Sequence, residues 1–501
     1  MSGASQDPAG SALPPRRSIW RNWVTLAGTV VAVGSFFAFL LLFAIDTFGP
    51  GQHNPYLGIL SYLVAPGFLI LGLVLVFGGA WWQRRQQHLY PERPAPTLSI
   101  DLSQPKQRWR LFWFGLGTVT FLLCTALGSY QTYHYTESVQ FCGQVCHTVM
   151  EPEFVTYQRG NHARVACVEC HIGSGATWYV KSKLSGAYQV YSTAFNKYHR
   201  PIGAPVENLR PAQDTCERCH WPEKFAGSLD RVYNRFLTDE KTTPYTVRLL
   251  LHVGGGASAH GPVGGIHWHM NVANKVEYLA TDTQRQKIPW VRVTSREGKV
   301  TVYRTPDYKG EPDPKAVRRM DCIDCHNRPA HAYRSPDDAV DEALYLGRID
   351  RSLTSVKYNV VELLTKPYNS VEEASAGITN GLRKKYGADA KIDGTIAEAI
   401  SIYQHNFFPK MKADWSSYPN NQGHKDSAGC FRCHDNNHIA EGSKEKIAAG
   451  DCNTCHTILT QGEGAELMKL SADGQTFKHP GGSYSDDLIC SDCHNGKLQE
   501  P

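Results

Sequence analysis

Fourteen of the fifteen cysteines sit in seven short clusters that each end in histidine. Six have the spacing Cys-x-x-Cys-His: Cys167, Cys170 and His171; Cys216, Cys219 and His220; Cys322, Cys325 and His326; Cys430, Cys433 and His434; Cys452, Cys455 and His456; Cys490, Cys493 and His494. The cluster nearest the N-terminus, Cys142, Cys146 and His147, carries one extra spacer residue. Two thiols on one turn can form thioethers with the two vinyl groups of a haem, and the histidine that follows then meets the iron. Seven covalent c-type haems are therefore expected. Structural zinc would need pairs of such units sharing four ligands, whereas every pair here has its own histidine and long gaps separate the pairs. A disulfide framework fits poorly too, because the pairs are local and the chain is long. Cys124, the cysteine left over, lies in an apolar run and reads as a small buried membrane residue.

A haem iron has a second axial position, and the chain is rich in groups that could fill it. Of 21 histidines, seven lie in the motifs, and His53 and His88 fall in loops near the N-terminus. Twelve remain. His162, His331 and His424 stand within a few residues of a motif and are the leading candidates, followed by His267, His269, His405, His438, His479 and His199; His134, His252 and His260 complete the set. His267 and His269 flank Trp268 and would share one face of a strand. With this supply every iron can be bis-His, so an enzyme with an open iron is not required.

The elements that must position these groups begin with three apolar runs, residues 23–45, 57–80 and 111–129, each long enough as a helix to cross a hydrocarbon core of about 30 Å. Arg16, Arg17 and Arg21 precede the first run, and Arg84, Arg85, Arg93, Lys106, Arg108 and Arg110 lie between the second and third, while residues 46–56 hold no Lys or Arg. This asymmetry predicts a cytoplasmic N-terminus and a haem-bearing part outside the bacterial inner membrane. Trp20, Trp23, Trp81, Trp82 and Trp113 fall near the run ends, as an aromatic belt would. The first run is too long for a signal-peptide core and no A-x-A-like site follows it, so it reads as an uncleaved anchor.

Nine Lys+Arg and four Asp+Glu lie in residues 1–129, which leaves 43 of each in residues 130–501. The net charge of +5 belongs to the anchor, and nothing resembles a basic nucleic-acid footprint. The expected architecture is an α-helical anchor of three transmembrane helices with a large, mostly helical or irregular multihaem domain and a small β insertion. The expected segments are a tail over 1–22, the anchor over 23–130, a three-haem domain over 131–240, a β-rich insertion over 241–320, and a four-haem domain over 321–501. Arg296, Glu297 and Gly298 suggest a hairpin turn. Ser335 before Pro336, Ser370 with Glu373, and Thr395 with Glu398 suggest helix starts. With so many short gaps, the haems are expected to supply much of the core.

Over residues 137–184 the chain resembles the NapC/NirT family of membrane-anchored quinol dehydrogenases. The residues that carry the likeness are FCGQVCHTVM, NHARVACVECH and the stretch YVKSKL. The order of three spans and then seven haems, with CIDCHNRPAH and GCFRCHDNNH, is similar to the heptahaem inner-membrane branch in metal-respiring bacteria. The resemblance implies oxidation of menaquinol or ubiquinol at a site in contact with membrane lipid, beside the first haem, with electrons passing to periplasmic cytochromes or reductases. It also implies that Met150 matches a methionine that can ligate the first iron; here it follows His147 by three residues, so either His147 or Met150 is the ligand. Lys183 or Lys181 matches the lysine near the quinol pocket. No Asp or Glu occurs between Cys170 and Glu207, so the family's acid is missing, and Glu151, Glu153 or His134 would have to replace it. Two other readings stand beside this one: a terminal reductase, of nitrogen oxyanions for instance, with one open haem, and a haem-bearing wire in a larger respiratory complex.

Overall fold

The computed structural model describes residues 19–20, 22–48, 65–90, 103–145, 147–172, 176–206, 210–255, 264–270, 274–387, 390–448, 452–480, 482 and 489–498. His53, Cys146 and His260 lie outside the described residues, as do the side chains of Cys124 and His147. The chain divides into two compact units, residues 1–134 with 172–186, and residues 135–171 with 187–501.

In the first unit, helix α1 (Trp23–Phe48) packs on α2 (Ala65–Leu89). The approach is close because glycine lines the seam: a Cβ on Gly28 would come within 2.6 Å of the Val76 nitrogen, and one on Gly72 within 2.5 Å of the Ala32 nitrogen. Asn22, buried at the seam's end, accepts a hydrogen bond from the Thr25 N–H at 2.8 Å and donates to the Gly79 carbonyl at 3.2 Å. Large apolar side chains such as Phe37, Ile70 and Phe77 face outward. Two described helices, within Trp23–Leu40 and Ala65–Leu89, are long and apolar enough to cross a membrane by length and composition. The third expected span falls in helix α3 (Pro105–Thr136), of whose residues 122–129 only the backbone is described.

The second unit contains helix α4 (His147–Arg159), and helix α5 (Ala176–Ala194) runs from the first unit into it. Two antiparallel sheets follow. The first has the order β1-β2-β8, with β1 Leu229–Phe236, β2 Pro244–Leu251 and β8 His456–Gly462. The other has the order β6-β3-β4-β5-β7, with β3 Lys275–Leu279, β4 Trp290–Thr294, β5 Val300–Arg304, β6 Arg318–Arg319 and β7 Ile439–Ala440. The β-structure thus draws on more of the chain than residues 241–320, because each sheet takes a strand from beyond residue 430. The β4–β5 hairpin turns where its sequence suggests, with Gly298 at φ 81° and its N–H donating to the Ser295 carbonyl.

The sheets hold motif turns in place. Strand β8 begins at His456, and the His252 N–H donates to the Cys455 carbonyl at 2.9 Å. Tyr278, fully buried in the second sheet, donates its hydroxyl to Asp324 at 2.6 Å, and Arg285 reaches the same carboxylate at 3.0 Å. Asp324 lies between Cys322 and Cys325, so the fourth motif is tied to the sheet through its own spacer.

Residues 336–406 form helices α6 (Pro336–Tyr345), α7 (Val356–Leu364), α8 (Val371–Tyr386) and α9 (Ala390–Asn406). Ser335 caps α6 by accepting from the Asp338 N–H, and Ser370 caps α8 by accepting from the Glu373 N–H. Ala374, Ile378 and Leu382, spaced by four residues, put one stripe of α8 wholly inside a core shared with Val340, Val360 and Ile392. Thr395 is not a cap: α9 starts five residues earlier, and the Thr395 hydroxyl instead accepts from the Asp350 N–H at 3.3 Å. Lys357, buried, bridges Asp337 at 2.7 Å and Asp341 at 2.6 Å and donates to the Phe236 carbonyl, joining α6 and α7 to β1.

Candidate haem-binding sites

Six of the seven motif histidines each face one histidine from elsewhere in the chain. Ring centres are separated by 6.3 Å for His171 and His331, 6.1 Å for His220 and His162, and 6.3 Å for His326 and His267. They are separated by 5.9 Å for His434 and His269, 6.2 Å for His456 and His424, and 5.9 Å for His494 and His479. A metal–imidazole bond is about 2 Å and the ring nitrogen lies about 1.1 Å from the ring centre, so two imidazoles on opposite sides of one metal have centres about 6 Å apart. The pairs therefore fit an iron between them, beside the two cysteines that precede each motif histidine.

Protonation and orientation fit as well. Burial holds His171, His326, His434, His456 and His494 below their ordinary pKa, and likewise His269, His331 and His424. These rings are neutral at pH 7, which is the ligating form. Four of the non-motif partners turn Nδ1 onto a backbone carbonyl: His162 onto Pro329 at 3.0 Å, His267 onto Val253 at 2.7 Å, His269 onto Ile266 at 2.9 Å and His331 onto Glu153 at 2.9 Å. A carbonyl only accepts, so Nδ1 carries the proton and Nε2 is left with its lone pair for a metal.

The pairing crosses between motifs. His331 follows the fourth motif but faces the second; His162 precedes the second but faces the third; His424 precedes the fifth but faces the sixth. Histidines 267 and 269 serve neighbouring motifs from one short turn. They do not lie on a strand: Ile266–Met270 is a 3-10 turn, opened by Gly265 at φ 83°, where a Cβ would come within 2.3 Å of the His252 carbonyl. Side chains two apart on that turn diverge instead of sharing a face, which sends His267 to the fourth motif and His269 to the fifth. Thiols also meet across motifs, Cys142 with Cys167 and Cys216 with Cys322, each through a hydrogen bond.

Five candidates form no such pair among the described residues: His134, which lies against Tyr130, His252, whose ring nitrogens meet the Ser228 and Thr457 hydroxyls, and His199, His405 and His438. His405 sets Nδ1 on the Ser401 carbonyl of its own helix, and His199 is exposed. His438 is buried with Nδ1 2.8 Å from an Asp435 carboxylate oxygen and Nε2 2.6 Å from the Ile288 carbonyl. Both nitrogens face acceptors, and although burial opposes the charge, Asp435 raises the ring's pKa above its ordinary value, so this histidine has no nitrogen to spare for a metal.

Around the first motif, Met150 is half-buried one turn into α4. One turn further, Glu153 is engaged: Arg328 reaches both its oxygens at 3.1 Å, Tyr333 donates to it at 3.2 Å, and the His331 Nδ1 lies 3.2 Å from its carboxylate. Arg328 in turn stacks on Tyr418 with its guanidinium carbon 4.2 Å from the ring centre. Glu153 thus stands beside a partner of the second motif, a role its place in the sequence gave no sign of. Glu151 and His134 are exposed. Lys181 is exposed, its ammonium 5.0 Å from the Trp178 ring centre, and Lys183 is half-buried on the same helix.

Residues 104–205 match the model of the NapC/NirT cytochrome c family, N-terminal region. The chain is 42% identical over 501 residues to the cytochrome c-type protein ImcH of Geobacter sulfurreducens, covering 96% of each chain. It is 31% identical over 78 residues to the cytochrome c-type protein NrfH of Wolinella succinogenes, covering 15% of this chain and 44% of the other. No solved structure matches the chain.

Proposed function

The chain belongs to the NapC/NirT family of membrane-anchored cytochromes c, and from that premise we propose that it oxidises menaquinol or ubiquinol at the periplasmic face of the bacterial inner membrane and delivers the electrons to periplasmic cytochromes or reductases. Each turnover takes a quinol to the quinone and releases two protons and two electrons. Seven c-type haems, when bound, supply one-electron carriage. In this reading the fourteen motif cysteines hold the porphyrins, and His147 or Met150 with His171, His220, His326, His434, His456 and His494 reach the irons. His331, His162, His267, His269, His424 and His479 would supply the second histidine at the last six sites.

The observation that carries the reading is the set of six histidine pairs. A metal with both axial positions filled has none left for a substrate, so the pairs support electron carriage over terminal reduction of a small oxyanion. The first motif follows α3 after a few residues, which supports a first site near the membrane surface. Lys183 and Lys181 are proposed to hydrogen-bond a quinol oxygen and to stabilise the charge that develops as its proton leaves. The arginines before the first apolar run and between the second and third support a cytoplasmic N-terminus.

The test is reduction of the purified holoprotein in lipid nanodiscs by a reduced quinone, followed at the haem absorption bands. Reduction by quinol, slowed by Lys183→Ala and further by the Lys181/Lys183 double alanine variant while dithionite reduction is unchanged, supports the proposal. A protein that dithionite reduces and quinol does not is a wire of a larger complex. A high-spin signal that binds small ligands would favour the reductase instead.

A further inference from the structure

Helix α5 wears its apolar side outward. Val180, Leu184, Ala187, Tyr188 and Tyr191 are all exposed, Leu184 at 69% and Tyr188 at 66%, and at ~100° per residue they fall within an arc of about 100°. Phe195, exposed at 64%, continues the line just past the helix end, where its N–H still donates to the Tyr191 carbonyl. The opposite side carries small or polar residues, Ser182, Gly186, Gln189 and Thr193, none of them buried. A surface helix of a water-soluble domain has these sides the other way round. An exposed apolar stripe of this length, rimmed by charge, marks an interaction surface.

We propose that α5 lies in the plane of the membrane–water interface, with the stripe in the acyl boundary and its basic flanks among anionic lipid headgroups. Three observations select lipid as the occupant. Val180 and Leu184, at the start of the stripe, fall in the same compact unit as helices α1 and α2, which are long and apolar enough to cross a membrane. From Ile172 to Val206 there is no Asp or Glu, while Lys181, Lys183, Lys197 and Arg200 give the segment a charge of one sign, complementary to anionic headgroups. The two tyrosines suit the same depth, each with an apolar ring and a polar tip, and Lys197 donates to the Tyr191 hydroxyl at 2.6 Å, so cation and ring present themselves together. This placement stands whether or not the protein oxidises quinol, because it concerns where the helix rests and not what reacts beside it.

The experiment places a photoreactive benzoylphenylalanine at Leu184, Tyr188 or Tyr191, or at Gln189 on the far side of the helix, in the holoprotein. Each variant is held in nanodiscs of phosphatidylethanolamine and phosphatidylglycerol, and the products are weighed after illumination. Lipid adducts at the three stripe positions are expected to exceed those at Gln189 by about tenfold or more, as for a helix whose apolar face alone enters the acyl boundary. Gln189 is itself exposed, so exposure alone does not produce the contrast. Equal lipid labelling at all four positions, or stripe positions that link to haem peptides or to a second protein chain in place of lipid, overturns the proposal. A second readout does not depend on the crosslinker: Leu184→Gln with Tyr191→Gln should raise amide hydrogen exchange across α5 in nanodiscs and leave the haem spectrum unchanged, whereas unchanged exchange also overturns it.

Discussion

The helical layer of residues 336–406 and the haem-motif regions around it are held together by opposite means. In the layer, Val340, Val360, Ile378, Leu382 and Ile392 are wholly buried against one another, and the chain supplies its own core. Around the motifs the groups that face one another are imidazoles, half-buried or exposed, with ring centres about 6 Å apart. The layer is packed by its own apolar side chains around a buried Lys357–Asp341 ion pair, while the motif regions would be completed by covalent haem. The expectation that haems furnish much of the core therefore does not extend to the helices between the fourth and fifth motifs, whose own side chains fill it.

The comparison breaks most readily if haem attachment is blocked. In chain made without cytochrome maturation, amides of α7, α8 and α9 should stay protected from hydrogen exchange, while those of the motif turns and of Ile266–Met270 exchange freely. Uniform protection, or uniform loss of it, would show the two regions to be one cooperative unit.

A cut in the apolar layer should be felt as stability alone. Leu382→Ala removes a fully buried side chain and is expected to cost about 2–5 kcal/mol in denaturant unfolding, with haem content and spectrum unchanged. A lost haem in that variant would mean that the layer helps to hold the porphyrins.

A cut at a pair should have the opposite signature. His331→Ala is expected to convert one low-spin haem to a high-spin or ligand-binding form, visible by electron paramagnetic resonance, with little change in the unfolding of α6–α9. An unchanged low-spin count would remove His331 from the ligand set.

Glu153→Gln should act more gently on the same site. Its carboxylate lies beside the His331 Nδ1, where it favours the oxidised, more positive centre. Neutralising it is expected to raise one midpoint potential by about 40 mV, the equivalent of about 1 kcal/mol for one electron. Glu153→Asp should restore part of the shift. A potential that does not move, in a variant that folds, would leave Glu153 a purely structural partner of Arg328.

The smallest effect is a pH dependence. His438 has its pKa raised, so its contribution to stability is fully present below the unfolded value of about 6.5 and is lost as pH rises through the folded value above it. Asp435 has its pKa lowered, burial being outweighed by His438 and by backbone N–H groups, so its contribution is present above the unfolded value of about 3.9 and is lost as pH falls through the folded one. His438→Gln should remove about 1 kcal/mol near pH 6 and progressively less above it. A constant difference across that range would mean the ring is neutral when folded.

What could be read without coordinates is what depends on near neighbours in the chain. Two thiols and a histidine on one turn declare a haem by spacing alone. Ser335 and Ser370 declare helix starts because a cap bonds its own first turn. The glycine at 298 declares a hairpin because the turn needs a positive φ. Thr395 misled because a cap pattern can equally occur inside a helix whose start lies upstream. His267 and His269 misled because alternation predicts one face only if the backbone is extended, and Gly265 turns it.

The sequence by itself determined the cofactor type, the motif cysteines and histidines, and the apolar runs of the anchor, since each is written in residues a few positions apart. Only the tertiary structure decided which histidine faces which. The ring of a histidine that stands five to ten residues from a motif histidine faces a motif histidine brought in by the fold instead. A histidine close to one motif in sequence is therefore delivered to a different one, as His162, His331 and His424 are. The sheets that fix these partners join residues from 135 to 216 positions apart, and pairing at that distance follows from packing and register, which no local spacing records.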